Sequence, residues 1–252
     1  CYARANWTHV VSTRLVREAR AAHFQLNRHL FLTQPLCVDA DRFGNVADRD
    51  ATRARIGAAA DAFVIVTIAR MVRWKNLDWL VRAVERLPGN SHLVLVGDGP
   101  ERASLAAAVP PHVRDRVHFV GHAAPGPWLA AGDVFALPST IESFGVAYAE
   151  AMTMGLPCIG LRYAPPAVLS SAAEVIRDGQ GGLLVSDEGE LVGALARLAG
   201  DRALRRTMGL TARTIAATRY TGEAYAAALE QFVSDVLGVE PHLSLDEALA
   251  IP

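Results

Sequence analysis

The sequence predicts an α/β fold built on a doubly wound parallel sheet, and three observations carry that expectation. From residue 62 onward, short β-branched runs alternate with longer helical patterns. The runs are almost continuously apolar, as strands covered on both faces are. Residues of unusual chemistry fall just after the runs, at the carboxyl ends where open parallel sheets bind their ligands.

At the start, "WTHVVST" reads as a strand and "RLVREARAAHF" as a helix. The charge-rich stretch "QPLCVDADRFGNVADRDATRARIG" that follows, with Pro and Gly, reads as a connector. A lone strand would leave its backbone groups unpaired. Residues 1–36 are therefore expected to end a preceding, largely missing domain, and a chain that does not begin with Met is expected to be processed or partial. The other reading adds this strand to an edge of the main sheet. Residues 37–61 form the connector. Six strands are then expected, at "AFVIVTIA" (62–69), "HLVLVG" (92–97), "RVHFVG" (116–121), "DVFALP" (133–138), "PCIGL" (157–161) and "GGLLV" (181–185). Between the first two, "NLDWLVRAVERL" sets Leu77, Leu80, Val81, Val84 and Leu87 at helical spacing. The patterns "ELVGALARLAGDRALRRTMGLTARTIAATR" and "GEAYAAALEQFVSDVL" close a domain over 62–237, leaving 238–252 as a tail.

Composition narrows the function classes. The 252 residues are enough to bury a full core without disulfides. Lys plus Arg number 25 against 26 Asp plus Glu, so no chain-wide field favours nucleic acid or an anionic membrane, and any anion must be held locally. Cys1, Cys37 and Cys158 are odd in number and match no metal spacing, which points to a reducing, cytoplasmic setting. No apolar run approaches the ~20 residues of a spanning helix.

Four strand ends deliver distinctive residues to one rim. Arg70, Arg73 and Lys75 follow the first run, "GDGPER" with Gly97 and Gly99 the second, "GHAAPG" the third and "PSTIESFG" the fourth. Between Gly145 and Pro157 only Glu150 is an acid or a base, while Glu142 stands at the mouth of that apolar stretch. Unpaired N–H groups at a helix start after "ESFG", with Arg70 and Lys75, suit a nucleoside diphosphate. Were 142–150 one helix, the two carboxylates would lie ~12 Å apart along it, the span from a sugar across a diphosphate to a ribose. Ionised carboxylates accept hydrogen bonds from such hydroxyls. The plain reading of Glu150 is a core carboxylate met by a backbone N–H or an arginine, of Glu142 an acid near a helix start, and of Arg73 a solvated loop residue. "GDGP" lacks a complete G-x-G-x-x-G because position 102 is Arg, which leaves its glycines a geometric role. Asp39 and Asp41 form a D-x-D ahead of the sheet and read as structural.

Taken together, "VDADRF", "ARMVRWKNLDWLVRA", "LVGDGPER", "VHFVGHA", "AAGDVFALPSTIESFGVAYAEAMTMGLPCIG" and "EVIRDGQGGLLV" resemble the C-terminal, donor-binding half of retaining glycosyltransferases of family 4, over about residues 8–237. The resemblance implies a Rossmann-like domain of the GT-B fold and a hexosyltransferase-type activity in polysaccharide or glycoconjugate biosynthesis. It implies transfer from a nucleotide diphosphate-sugar to a hydroxyl acceptor, a glycan or lipid-linked, with retention and without a metal or other cofactor. By this likeness Arg70 and Lys75 hold the diphosphate, Glu142 meets the donor sugar and Glu150 the ribose. The backbone of Ser143, Phe144, Gly145 and Val146 touches sugar and phosphate, and Gly121, His122 and Ala123 meet the base. Most of the acceptor site belongs to the missing N-terminal domain, and peripheral contact with the inner membrane face is family habit. The stretch "LRYAPPAVLSSAAEVIRDG" is longer than the family's glycine-rich loop. The alternatives are a sugar-nucleotide epimerase or a phosphorylase of the same fold, and a non-catalytic nucleotide-binding fragment. A phosphorylase needs a lysine for pyridoxal, and Lys75 is the only lysine in the chain.

Overall fold

A computed structural model describes residues 7–21, 30–33, 36–43 and 49–237 of the chain, so the expected tail at 238–252 lies outside the described residues. Trp7–Val10 (β1) and Leu30–Thr33 (β2) pair in parallel as a two-stranded sheet, with Thr13–Ala21 (α1) between them in sequence. The first strand thus finds its partner in β2 and not on an edge of the main sheet. Within the stretch read as connector, Arg49–Ala54 (α2) packs onto the main domain. The Arg53 side chain is 2% exposed and donates to Asp133 at 2.5 Å. It also donates to the carbonyls of Ala59, Ala62 and Ala131.

The main domain alternates strand and helix: Phe63–Ile68 (β3), Leu77–Arg86 (α3), Ser91–Val96 (β4), Arg102–Ala108 (α4), Val117–Gly121 (β5), Pro125–Ala131 (α5) and Val134–Leu137 (β6). After the short strand Ile141–Glu142 (β7) come Val146–Thr153 (α6), Cys158–Leu161 (β8), the short strand Leu169–Ser170 (β9), Ala172–Ile176 (α7) and Gly182–Val185 (β10). Glu188–Gly200 (α8), Arg202–Arg219 (α9) and Gly222–Leu237 (α10) follow. All six expected strands form, in the order β10-β8-β6-β3-β4-β5, and every pairing is parallel. Val64, Ile65 and Val66 are each wholly buried. Neighbouring strand residues point to opposite faces, so helices cover the sheet on both sides, and the continuous apolar runs follow from that.

The strand order places the site. From β3 the chain builds outward through β4 and β5, then returns beside β3 as β6 and builds the other way through β8 and β10. The loops leaving β3 and β6 therefore diverge to opposite sides and leave a crevice at the carboxyl rim, where doubly wound sheets bind ligands. No helix among the described residues is long and apolar enough to cross a membrane.

Candidate functional site

The loop after β3 is laid along the glycine turn after β4. Ala69 N–H donates to the Val96 carbonyl, Met71 N–H to that of Asp98, and Glu101 N–H back to that of Met71. This approach is possible only because two side chains are absent. A Cβ on Gly97, whose φ is +125°, would sit 2.1 Å from the Ala69 carbonyl oxygen, and one on Gly99 would sit 2.3 Å from that of Met71. Gly97 N–H also donates to the Gly121 carbonyl at 2.8 Å, which joins the third strand end to the same turn. Asp98 accepts from the Gly99 N–H at 2.7 Å and pairs with Arg102 at 2.6 Å, and that arginine holds its carboxyl below the usual range. Arg70 is exposed on the resulting shelf. A cavity of about 590 Å³ opens there, lined by Ile68, Arg70, Gly97, Gly99, His122 and Ala123 among others.

A second cavity, of about 330 Å³, shares Ile68 with the first and takes in Lys75 and the whole Glu142 to Val146 stretch. Arg70, Lys75 and Glu142 thus stand on one rim. Lys75 lies in a single 3-10 turn, Arg73–Lys75, closed by Asn76 in the left-handed conformation at φ 48°. Asn76 Nδ2 donates to the Pro138 carbonyl, and Thr140 N–H to that of Trp74, both at 2.8 Å, so the loops after β3 and β6 are bonded to each other. Lys75 Nζ meets Glu142 Oε2 at 2.5 Å, with the two side chains 15% and 16% exposed. Each charge is shielded enough that losing one would leave the other uncompensated.

The single helix considered for 142–150 does not form. Glu142 ends β7, Gly145 turns the chain at φ +86°, and α6 begins only at Val146. A Cβ on Gly145 would lie 2.5 Å from the Tyr148 ring, so that turn admits glycine alone. The carboxylates are therefore not spaced along one helix axis. Glu150 sits within α6 and is half-buried, has partners inside the protein, and lines neither cavity. The Phe144 ring, 4% exposed, packs edge-on against Tyr220 and anchors the turn. Gly121, at φ +79°, supports the shelf through its carbonyl without lining the cavity. Asp39 and Asp41 fall at the 3-10 turn Ala40–Phe43, ahead of the main sheet. Among the described residues no three His, Cys, Asp or Glu gather as a metal site. Burial raises both the Cys158 thiol and the Tyr148 hydroxyl, and Tyr148 spends its proton on the Leu137 carbonyl.

Sequence reasoning missed Ser171. Its N–H donates to the Glu142 carbonyl and its hydroxyl to that of Ser143 at 2.7 Å, which fixes the peptide between acid and turn. It lies between β9, which pairs with β7, and α7. The serine pair "SS" ahead of "AAEVI" is a helix-start signal, but nothing local says which carbonyls it faces. Asn76 was readable, because asparagine is enriched in the left-handed region.

Comparisons with known proteins agree on one family. A family model described as "Glycosyl transferases group 1" matches residues 62–201, more than half of the chain. The chain is 33% identical over 187 residues to the lipopolysaccharide core biosynthesis glycosyltransferase LpsE of Rhizobium meliloti, covering 72% of this chain and 53% of that protein. It is 32% identical to the N-acetyl-alpha-D-glucosaminyl L-malate synthase of Bacillus anthracis, with 75% and 50% covered. It spans about half the length of these relatives. Sucrose-phosphate synthase from Thermosynechococcus elongatus superposes with TM-score 0.76 at 26% identity, covering 93% of this chain and 59% of that one. HepE of Anabaena, solved in complex with UDP and glucose, superposes at 0.77 with 21% identity, covering 93% and 64%, a likeness of fold.

Proposed function

Given that the chain belongs to the glycosyl transferases group 1 family, we propose that it is the donor-binding domain of a retaining glycosyltransferase of family 4. The reaction is transfer of a sugar from a nucleoside diphosphate donor to a hydroxyl of a glycan or lipid-linked acceptor. The observation that carries the reading is the joined pair of cavities on one rim, with Arg70 and the base-sized space on one side and Lys75 with Glu142 on the other. In this reading the base lies against His122 and Ala123, the diphosphate passes Arg70 and the first turn of α6, and the sugar reaches Glu142. HepE, of the same fold, binds UDP and glucose, which favours a donor of that type.

The chemistry asked of the domain is stabilisation of a leaving group. As the glycosidic bond breaks, negative charge grows on the diphosphate, and preorganised positive groups lower the barrier by meeting it there. Lys75 is held by Glu142 at 2.5 Å, so a phosphate arriving between the cavities draws the ammonium while the freed carboxylate turns to sugar hydroxyls. Arg70 and the N–H groups of Val146 and Ala147, in the turn of α6 without intrahelical acceptors, supply the remaining charge. This reading needs no metal ion. Glu150 serves the ribose only if the ligand reaches α6 beyond its first turn.

The test is product analysis on the full-length protein with UDP-, GDP- and ADP-sugars. Transfer with retained configuration is expected. An epimerised donor or no product would replace this reading with the epimerase or the non-catalytic one. Calorimetric titration of the same donors against Glu150→Ala checks the ribose role, which fails if the variant binds each donor as the parent does. Lys75→Ala is expected to lower turnover ~100-fold or more while weakening nucleoside binding much less, and an unchanged rate would overturn the leaving-group role.

A further inference from the structure

The first turn of α1 is docked on the long loop behind the candidate sugar end. Glu174 of α7 accepts from Thr13 N–H at 2.9 Å, Thr13 Oγ1 at 2.7 Å and Arg14 N–H at 2.9 Å. A carboxylate from the main domain thus caps a helix of the preceding segment, where unpaired N–H groups and the helix dipole both favour an anion. From that fixed point the Arg14 side chain, 4% exposed, reaches inward. Its Nε donates to Ser171 Oγ at 3.0 Å and one terminal nitrogen donates to the Glu142 carbonyl at 3.3 Å. The other terminal nitrogen pairs with Glu18 at 2.6 Å, which balances the buried charge. Ser171 in turn holds the Glu142 and Ser143 carbonyls. One guanidinium therefore reads, directly and through one serine, both carbonyls that orient the Glu142 side chain and the Gly145 turn.

We propose that Arg14 is a positioning residue for the sugar half of the donor site, through which the segment preceding the main domain sets the geometry of the Glu142–Ser143 peptide. The inference rests on the donor-site reading above. Its physical basis is the fork of the guanidinium, which can serve Ser171, Glu142 and Glu18 at once, whereas an ammonium is a single point charge. Because the contact falls on the Glu142–Ser143 peptide and not on the shelf of Arg70, Gly97 and Gly99, losing it is expected to weaken ligands that carry the sugar more than the free diphosphate.

The experiment is calorimetric titration of the full-length parent, Arg14→Gln and Arg14→Lys, each with UDP-, GDP- and ADP-glucose and with the matching free nucleoside diphosphate. Steady-state rates and melting curves accompany it. For the donor that the parent binds, Arg14→Gln is expected to weaken the sugar nucleotide about tenfold, the worth of one hydrogen bond to a charged group, with the free diphosphate within about twofold. Arg14→Lys keeps the charge without the fork and is expected to fall between, which separates positioning from loss of fold. Equal weakening of sugar nucleotide and free diphosphate, or no change in either, overturns the proposal. A parent that binds none of the donors removes the donor-site reading itself, and this inference with it.

Discussion

Gly145 and Gly57 share a left-handed backbone, with φ of +86° and +65°, yet their surroundings differ. A Cβ at Gly57 meets nothing within 4 Å, whereas one at Gly145 meets the Tyr148 ring at 2.5 Å and Glu142 Cγ at 3.2 Å. Gly57→Ala is therefore expected to cost only the backbone preference, about 1–2 kcal/mol. Gly145→Ala adds a steric clash that can be relieved only by moving the Glu142 loop, so its loss in urea unfolding should exceed that of Gly57→Ala. Donor binding should suffer in Gly145→Ala alone. Equal stability losses in the two variants would mean that the turn relaxes without cost. At this scale the glycines and charges were legible in the sequence, because "ESFG" and "GDGP" each combine a turn residue with chemistry. The bond between Lys75 and Glu142 was not, since it joins loops 67 positions apart.

Helix α2 and the strand pair β4 and β5 carry predictions of their own. Arg53 of α2 fastens the segment before β3 to the main domain through Asp133 and the Ala131 carbonyl, and gathers the carbonyls of Ala59, Ala60 and Ala62 within that segment. Truncating it leaves those carbonyls without their donor and removes the buried cation beside Asp133, which keeps the more exposed Arg49 and the Val64 N–H. Arg53→Ala is expected to destabilise by about 3–5 kcal/mol, as breaking one side of a buried pair does. A denaturation midpoint equal to the parent's would show that α2 is a solvated connector after all. Strands β4 and β5 bring His92 and His118 together, Nδ1 to Nε2 at 3.1 Å. Burial lowers both, His118 to about 4 from 6.5, and each also feels charge from other groups, Arg116 foremost on His92 and His92 on His118. The unfolded chain takes up protons at pH values where the folded one does not. Stability is then fully present above about pH 6.5 and is lost as pH falls toward about 4, the sign that linkage gives for a depressed histidine. Melting temperature measured from pH 7.5 to 4.5 should drop more steeply in the parent than in His118→Gln, and parallel curves would rule the pair out as the cause.

For the molecule as a whole, the path of the chain decides what meets at the rim. Six apolar runs were enough to name the parallel sheet, because a strand buried on both faces has to be apolar throughout. The short strands β7 and β9 were invisible at two residues each, and β2 lies in a stretch with no alternation to mark it. The start of α6 at Val146, by contrast, was legible, because the turn residue Gly145 of "ESFG" stands directly before it. By itself, then, the sequence determined the sheet, its family and the set of residues at the strand ends, since burial and turn chemistry are written residue by residue. Only the tertiary structure decided that Glu142 is a strand residue bound to Lys75, that Ser171 and Arg14 hold its carbonyl, and that Glu150 stands apart from both cavities. These are contacts between segments distant along the chain, and their partners are chosen by the strand order and the packing of loops, which no local pattern encodes.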